Sequence, residues 1–191
     1  MTRYLYVEAT TKQPAALLAE EFREAKNRWI CPGRFHIKPN IGSIDINVPL
    51  VRLGPTALNF VFGTGLGLAR KAFFEEVGWD LINRNLYLGR LYLRGVESKS
   101  WVTFHGRQPI NVRGLVRPGV RKCEHCGSEI YFSYEPSYIW PPPNPSFEVF
   151  DKGGTGLVIR SDIAAKLDLK HWKGIRLYNL KVEEPPDTVQ L

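Results

Sequence analysis

Cysteine and methionine are scarce in this chain: three of the first and one of the second, Met1, among 191 residues. A small, odd number of thiols excludes the disulfide framework that staples small secreted domains. A single methionine excludes the adaptable, Met-rich groove of a promiscuous peptide binder. Long apolar runs are missing too. The longest stretch without charge, Leu53–Ala69, holds Pro55, Asn59, Thr56, Thr64 and four glycines, whereas a membrane-crossing helix needs about 20 mostly apolar residues. Arg3, Glu8 and Lys12 interrupt Met1–Leu18, so no signal peptide is expected and the expected compartment is the cytoplasm. Signatures of catalysis are also lacking. There is no G-x-S-x-G, no H-E-x-x-H and no Walker lysine, and the four histidines, His36, His105, His125 and His171, are scattered. The loop Gly63-Thr64-Gly65-Leu66-Gly67 departs from the dinucleotide fingerprint, because Leu68 stands where that pattern requires its last glycine. Its glycines are read as turn and packing residues. The chain is therefore expected to bind and not to catalyse.

What is present suffices for a folded interior: 43% of the residues are hydrophobic and 12% of the chain is aromatic, against an ordinary 24% charged. The formal net charge is +7. One stretch stands apart, with Lys99, Arg107, Arg113, Arg117, Arg121 and Lys122 and no acid between Ser98 and Cys123. Such spaced cations are either a solvated face or the partner of something anionic, nucleic acid or an acidic protein surface.

The periodicity predicts an α+β fold, with mixed sheets and a few short helices. Tyr4 and Tyr6 alternate with Leu5 and Val7 in a first strand. Leu18, Phe22, Ala25 and Trp29 share one face of a helix that ends at Cys31-Pro32-Gly33. Ile44, Ile46 and Val48 alternate, and Leu58–Phe62 is a short apolar run. After the glycine loop, Arg70–Val77 reads as a helix with Phe73 and Val77 on one face, and Leu86–Leu93 as a strand. Near the end the same events recur: Gly153-Gly154-Thr155-Gly156, the apolar Leu157-Val158-Ile159, a helix start at Ser161-Asp162 with Ile163 and Leu167 one turn apart, and a strand Ile175–Val182. Arg70 and Arg160, Phe73 and Ile163, and Val77 and Leu167 are each ninety residues apart. The spacing admits two similar strand–loop–helix–strand halves, residues 1–115 and 116–191, joined by the CxxC segment and able to form one compact domain. Chance similarity of short units is the other reading. Tyr138–Phe147, with four prolines, is expected to cross the surface without regular structure.

Cys123-Glu124-His125-Cys126-Gly127 is the sharpest local motif. Two thiolates separated by two residues grip one tetrahedral ion, and the glycine lets the chain turn beneath it. Completion requires two more ligands, which Cys31 and His36 can supply; the set Cys31, His36, Cys123, Cys126 would hold zinc. The alternative is a metal-free turn. A thioredoxin-like role is disfavoured, since no strand is predicted before this CxxC. The aromatic cluster that follows, Tyr131, Phe132, Tyr134, Tyr138 and Trp140, reads either as packed strand residues or, with the cations before it, as a zinc-braced nucleic-acid surface.

Lys122-Cys123-Glu124-His125-Cys126-Gly127, followed by a proline-bearing spacer, Phe147–Phe150, Gly156-Leu157-Val158-Ile159-Arg160 and Gly174-Ile175-Arg176-Leu177, resembles the double-CXXCG-motif proteins, immunity proteins of bacterial polymorphic-toxin systems. Trp29-Ile30-Cys31-Pro32-Gly33 resembles the opening of their first motif, and the likeness covers roughly residues 29–36 and 115–182. Arg34 and Phe35 stand where that motif has its second cysteine and its glycine, so a shared zinc would have to recruit His36. The resemblance implies a cytoplasmic protein that binds a cognate toxin domain and occludes its active or target-binding surface. The basic charge then implies an acidic contact surface on the toxin, a carboxylate-bearing active site more than a nuclease groove. Arg107, Arg113, Arg117, Tyr138 and Trp140 are the candidate anchors. A zinc-braced nucleic-acid-binding module is the alternative, and an enzyme that reverses a toxin's modification the third class.

Overall fold

Alternating side chains and short apolar runs put more of the described residues into strands than into helices, and the fold is α+β. The computed structural model describes residues 3–10, 13–32, 37–38, 41–50, 52–107, 112–113, 121–122, 124–125, 129–130, 138–139, 146–152 and 154–182. In chain order the elements are β1 (Arg3–Ala9), α1 (Ala19–Arg28), β2 (Ile46–Val48), β3 (Leu58–Val61), β4 (Leu66–Arg70), α2 (Lys71–Val77), α3 (Trp79–Asn85), β5 (Leu86–Leu93), β6 (Val96–Gly106), β7 (Val112–Arg113), β8 (Arg121–Lys122), β9 (Glu129–Ile130), β10 (Tyr138–Ile139), β11 (Val149–Asp151), β12 (Gly156–Arg160), α4 (Ser161–Ala164), a 3-10 turn (Leu169–His171) and β13 (Ile175–Val182). None of the described helices is long and apolar enough to cross a membrane.

Two of these elements depart from the sequence reading. Leu18 was expected on the buried face of α1, but it lies just before the helix and is 53% exposed. Ala25 and Trp29 are buried as expected, and Glu20 and Glu21 at the start with Lys26 and Arg28 at the end complement the helix dipole. Tyr138–Ile139, expected to lack regular structure, forms β10.

Among the described residues the strands make two large sheets of similar design and a separate two-stranded one, β8-β9. One runs β2-β5-β6-β4-β3 and the other β7-β10-β13-β1-β12-β11. In each, an edge hairpin (β3–β4 or β11–β12) pairs antiparallel with a central strand (β6 or β1), that strand pairs antiparallel with the next (β5 or β13), and the next pairs parallel with a short strand (β2 or β10). Positions ninety apart correspond: β4 matches β12, and each leads straight into a helix, α2 or α4. The central strands break the parallel. β6 follows β5 through the two-residue turn Arg94-Gly95, both residues with positive φ, the geometry that suits the twist of a tight hairpin. The second sheet takes its central strand from the other end of the chain, so β1 lies between β12 and β13.

The inner faces of the sheets share one core: Val7 and Ala9 of β1, Leu58, Ala69 and Phe104 of the first sheet, Val149, Leu157 and Ile159 of the second, and Phe73, Phe74, Ile82 and Ala164 from the helices. Each large apolar side chain fully buried here contributes about 1.5–3 kcal/mol. The first sheet's outer face packs under α1 through Ile46, Val48, Leu68 and Trp29, and the second sheet's outer face gathers Tyr4, Tyr6, Phe150, Val158 and Leu180. The two glycine turns meet at the centre, where a Cβ on Gly154 would lie 2.6 Å from the Gly65 carbonyl.

Candidate functional site

The expected site residues fall unevenly on the described chain. Among the expected zinc ligands, His36, Cys123 and Cys126 lie outside the described residues, and Cys31 is buried. Among the expected anchors, Arg117 and Trp140 lie outside them too. Arg113 and Tyr138 are described in backbone only, and the pairing of β7 with β10 sets them directly opposite one another. Arg107 is exposed at the end of β6; its guanidinium lies 4.2 Å from the Tyr87 ring centre and its Nε donates to the Leu86 carbonyl at 3.2 Å. Among the described residues no three His, Cys, Asp or Glu side chains gather as metal ligands.

A short antiparallel pairing brackets each cysteine motif along the sequence. Ile30 bridges Ile37 antiparallel around Cys31-Pro32, and Lys122 pairs with Glu129 antiparallel around Cys123–Cys126. Both members of the second pair stand ninety-two residues beyond those of the first. A two-residue strand, β8, thus precedes Cys123, where the sequence reading placed none.

One concavity among the described residues was not anticipated. It is a cleft of about 560 Å³ at the β5–β6 turn end of the first sheet, with Arg52, Arg70, Arg94 and Lys99 around Leu53, Leu93, Val96 and Trp101, and one acid, Glu97. Lys99, read from the sequence as part of a basic stretch, stands here on strand β6. Arg70 ends β4 and pairs across to Trp101, whose buried ring lies 5.5 Å from the guanidinium. One guanidinium nitrogen reaches the Gly54 carbonyl at 3.4 Å, and its Nε, itself buried, has no hydrogen-bond partner among the described residues. Arg52, Arg70, Arg94 and Lys99 form no ion pair with any described residue, in contrast to the pairs that Arg84, Arg90 and Arg160 make.

The second sheet shows the same position in another state. Arg160 ends β12 and pairs across to Tyr4, as Arg70 does to Trp101. Both arginines cap a helix with the same backbone, φ −67 and ψ 134 at Arg70 against φ −60 and ψ 136 at Arg160. Arg160 is neutralised. Asp162 accepts from its Nε at 2.7 Å and from a terminal nitrogen at 3.0 Å, and Glu148 accepts at 3.3 Å. That pairing holds the Asp162 carboxyl below its ordinary range, the Arg160 hydrogen bond being the main cause. In the first half Ala72 stands in the place of Asp162, and Ala57, whose carbonyl accepts from Arg70 N as that of Glu148 does from Arg160 N, in the place of Glu148.

A second polar centre joins the sheets. Asp151 is buried, and its carboxylate accepts from Gly154 N at 2.7 Å and Gly106 N at 3.3 Å. Burial pushes its carboxyl up to about 7, with those two N–H bonds opposing the rise. The fit is structural: it ties the glycine turn of the second sheet to the end of β6.

Comparison with protein-family models and with curated proteins returns no match.

Proposed function

We propose that the chain is a binding protein of the immunity type, which neutralises a cognate toxin domain in the cytoplasm by covering its active or target-binding surface and performs no catalysis of its own. The observation that carries this reading is the matched pair of short Cys-bearing pairings, Ile30 with Ile37 and Lys122 with Glu129. A motif cysteine follows the first residue of each pair. That is the arrangement expected of a double-motif chain built from two like halves, and it agrees with the resemblance the motifs carry. Cys31, His36, Cys123 and Cys126 would hold a zinc ion, whose part is to brace the turns. The cationic cleft supplies the electrostatic half of the argument, since it suits an acidic contact surface and speeds association with one.

A zinc-braced nucleic-acid-binding module would use the same charges. Trp101, the one ring among the described residues that line the cleft, is 4% exposed and lies under Arg70, so it offers no face for a base to stack on. An acidic protein surface fits better.

Co-production with the toxin domain encoded beside the chain tests the reading. Restored growth of a sensitive host, with a one-to-one complex on size exclusion, is the expected outcome. Unrelieved toxicity, with no complex at micromolar concentrations, would overturn it.

A further inference from the structure

The geometry points to the cleft formed by Arg52, Arg70, Arg94 and Lys99 as the seat of an acidic segment of the partner protein, with Arg70 receiving a carboxylate from outside where its counterpart Arg160 receives one from within. The proposal rests on the binding-protein reading and adds the surface and the chemistry of the contact.

The chain provides its own reference for what an arginine at this position does. Both Arg70 and Arg160 close an antiparallel pairing opposite an aromatic residue and open a helix. At Arg160 two carboxylates complete the arrangement, one of them bidentate, the geometry that suits a guanidinium best. At Arg70 alanines occupy both places, and the Nε has no acceptor among the described residues. A buried donor without a partner is costly, and an incoming carboxylate would relieve that cost. Three further cations line the same cleft against a single Glu97, so one carboxylate does not exhaust its charge. An acidic peptide segment with several Asp or Glu residues matches it.

Apolar surface makes the site more than a charge trap. Leu53 and Leu93 line the cleft, and Val96 at its edge is 71% exposed. The stems of Glu side chains would lie against these while the carboxylates meet the cations. Trp101 beneath fixes the guanidinium of Arg70, so less freedom is lost when a carboxylate pairs with it.

Ala72 is exposed, so the missing acid can be restored without touching the core. Ala72→Asp places a carboxylate two residues beyond Arg70, as Asp162 stands beyond Arg160. Ala72→Asn is the neutral control of like shape, and Ala19→Asp, at an exposed position on α1, repeats the charge change elsewhere. The probe is a fluorescein-labelled octaglutamate peptide, followed by anisotropy in low salt. The wild-type chain, Ala72→Asn and Ala19→Asp are expected to bind it within twofold of one another. Ala72→Asp is expected to bind at least tenfold more weakly, with its melting temperature unchanged. Equal binding by Ala72→Asp and Ala72→Asn overturns the proposal, as does equal weakening by Ala19→Asp. An eight-nucleotide single strand that binds more tightly than the peptide, and is lost in Ala72→Asp, overturns the choice of a protein partner. The two readings fail separately. A chain that binds the peptide through the cleft and neutralises no toxin overturns the immunity reading alone. Full protection by Ala72→Asp against a toxin overturns the assignment of the cleft alone.

Discussion

The two large sheets of this chain share a strand order and differ in how they settle the same local problems. At the strand-to-helix junction one arginine is closed off by Asp162 and Glu148, and the other faces a cleft where four cations meet a single described acid, Glu97. In the edge turn of the first sheet, the Thr64 hydroxyl donates to the Val61 carbonyl at 2.8 Å and accepts from Leu66 N at 3.0 Å. In the turn of the second, the Thr155 hydroxyl donates to the Lys152 carbonyl at 2.8 Å in the same way, and a buried carboxylate, Asp151, adds an acceptor for Gly154 N. Behind the turns, Gly67 in β4 leaves space for the Phe104 ring, which would lie 2.2 Å from a Cβ there, while its counterpart Leu157 pairs with the smaller Val7. Strand order and pairing sense are thus shared while the connection of the central strand differs, and side chains trade size and charge around that frame. The lesson is that a charge balanced in one copy and unbalanced in the other marks the place where structure alone does not explain the residue.

Substitutions can break or sharpen that comparison, and the largest effect is expected where the halves touch. Gly154→Val places a side chain at φ +78 against the Gly65 backbone, and a loss of about 4 kcal/mol is expected in urea unfolding. Next is Asp151. Its carboxyl is raised in the folded chain to about 7, so its favourable contribution is whole below the unfolded value of about 4 and is lost as pH rises through 7. The stability of Asp151→Asn relative to wild type is therefore expected to improve by roughly 3 kcal/mol between pH 4 and 8. A flat difference across that range would mean that the carboxylate ionises freely. Thr64→Ala strands the buried Leu66 N–H in the other turn and is expected to cost about 2 kcal/mol at every pH. The smallest effect belongs to Asp162→Ala. The pair is partly exposed, so the loss is expected to stay under about 1 kcal/mol, and Arg160 keeps Glu148 as its remaining carboxylate partner.

Much of this architecture was legible from local pattern. The ninety-residue spacing paired α2 with α4 and missed β4, whose start lay inside the segment read as a glycine loop, while alternation gave β5. It was silent on β6, because Glu97, Lys99 and Ser100 are exposed on that strand and break the apolar alternation; the Leu93-Arg94-Gly95-Val96 turn was the usable signal. The place of β1 was also out of reach, since its neighbours begin some 150 residues away and only long-range pairing reveals them. The cleft escaped for a related reason. Arg52, Arg70 and Arg94 come from separate segments and form no run, so a scan for basic stretches kept only Lys99 from it. The sequence did hold a clue: Asp162 follows Arg160 at the distance where Ala72 follows Arg70.

The account turns on the claim that two equivalent arginines differ in availability, and side-chain Nε–Hε resonances read that difference directly. With Arg70 and Arg160 assigned by substitution to Lys, the octaglutamate peptide is titrated into the labelled chain. The account expects the Arg70 resonance to shift progressively to saturation while that of Arg160, held by Asp162 and Glu148, stays in place. Equal movement of both, or movement of Arg160 alone, would contradict it.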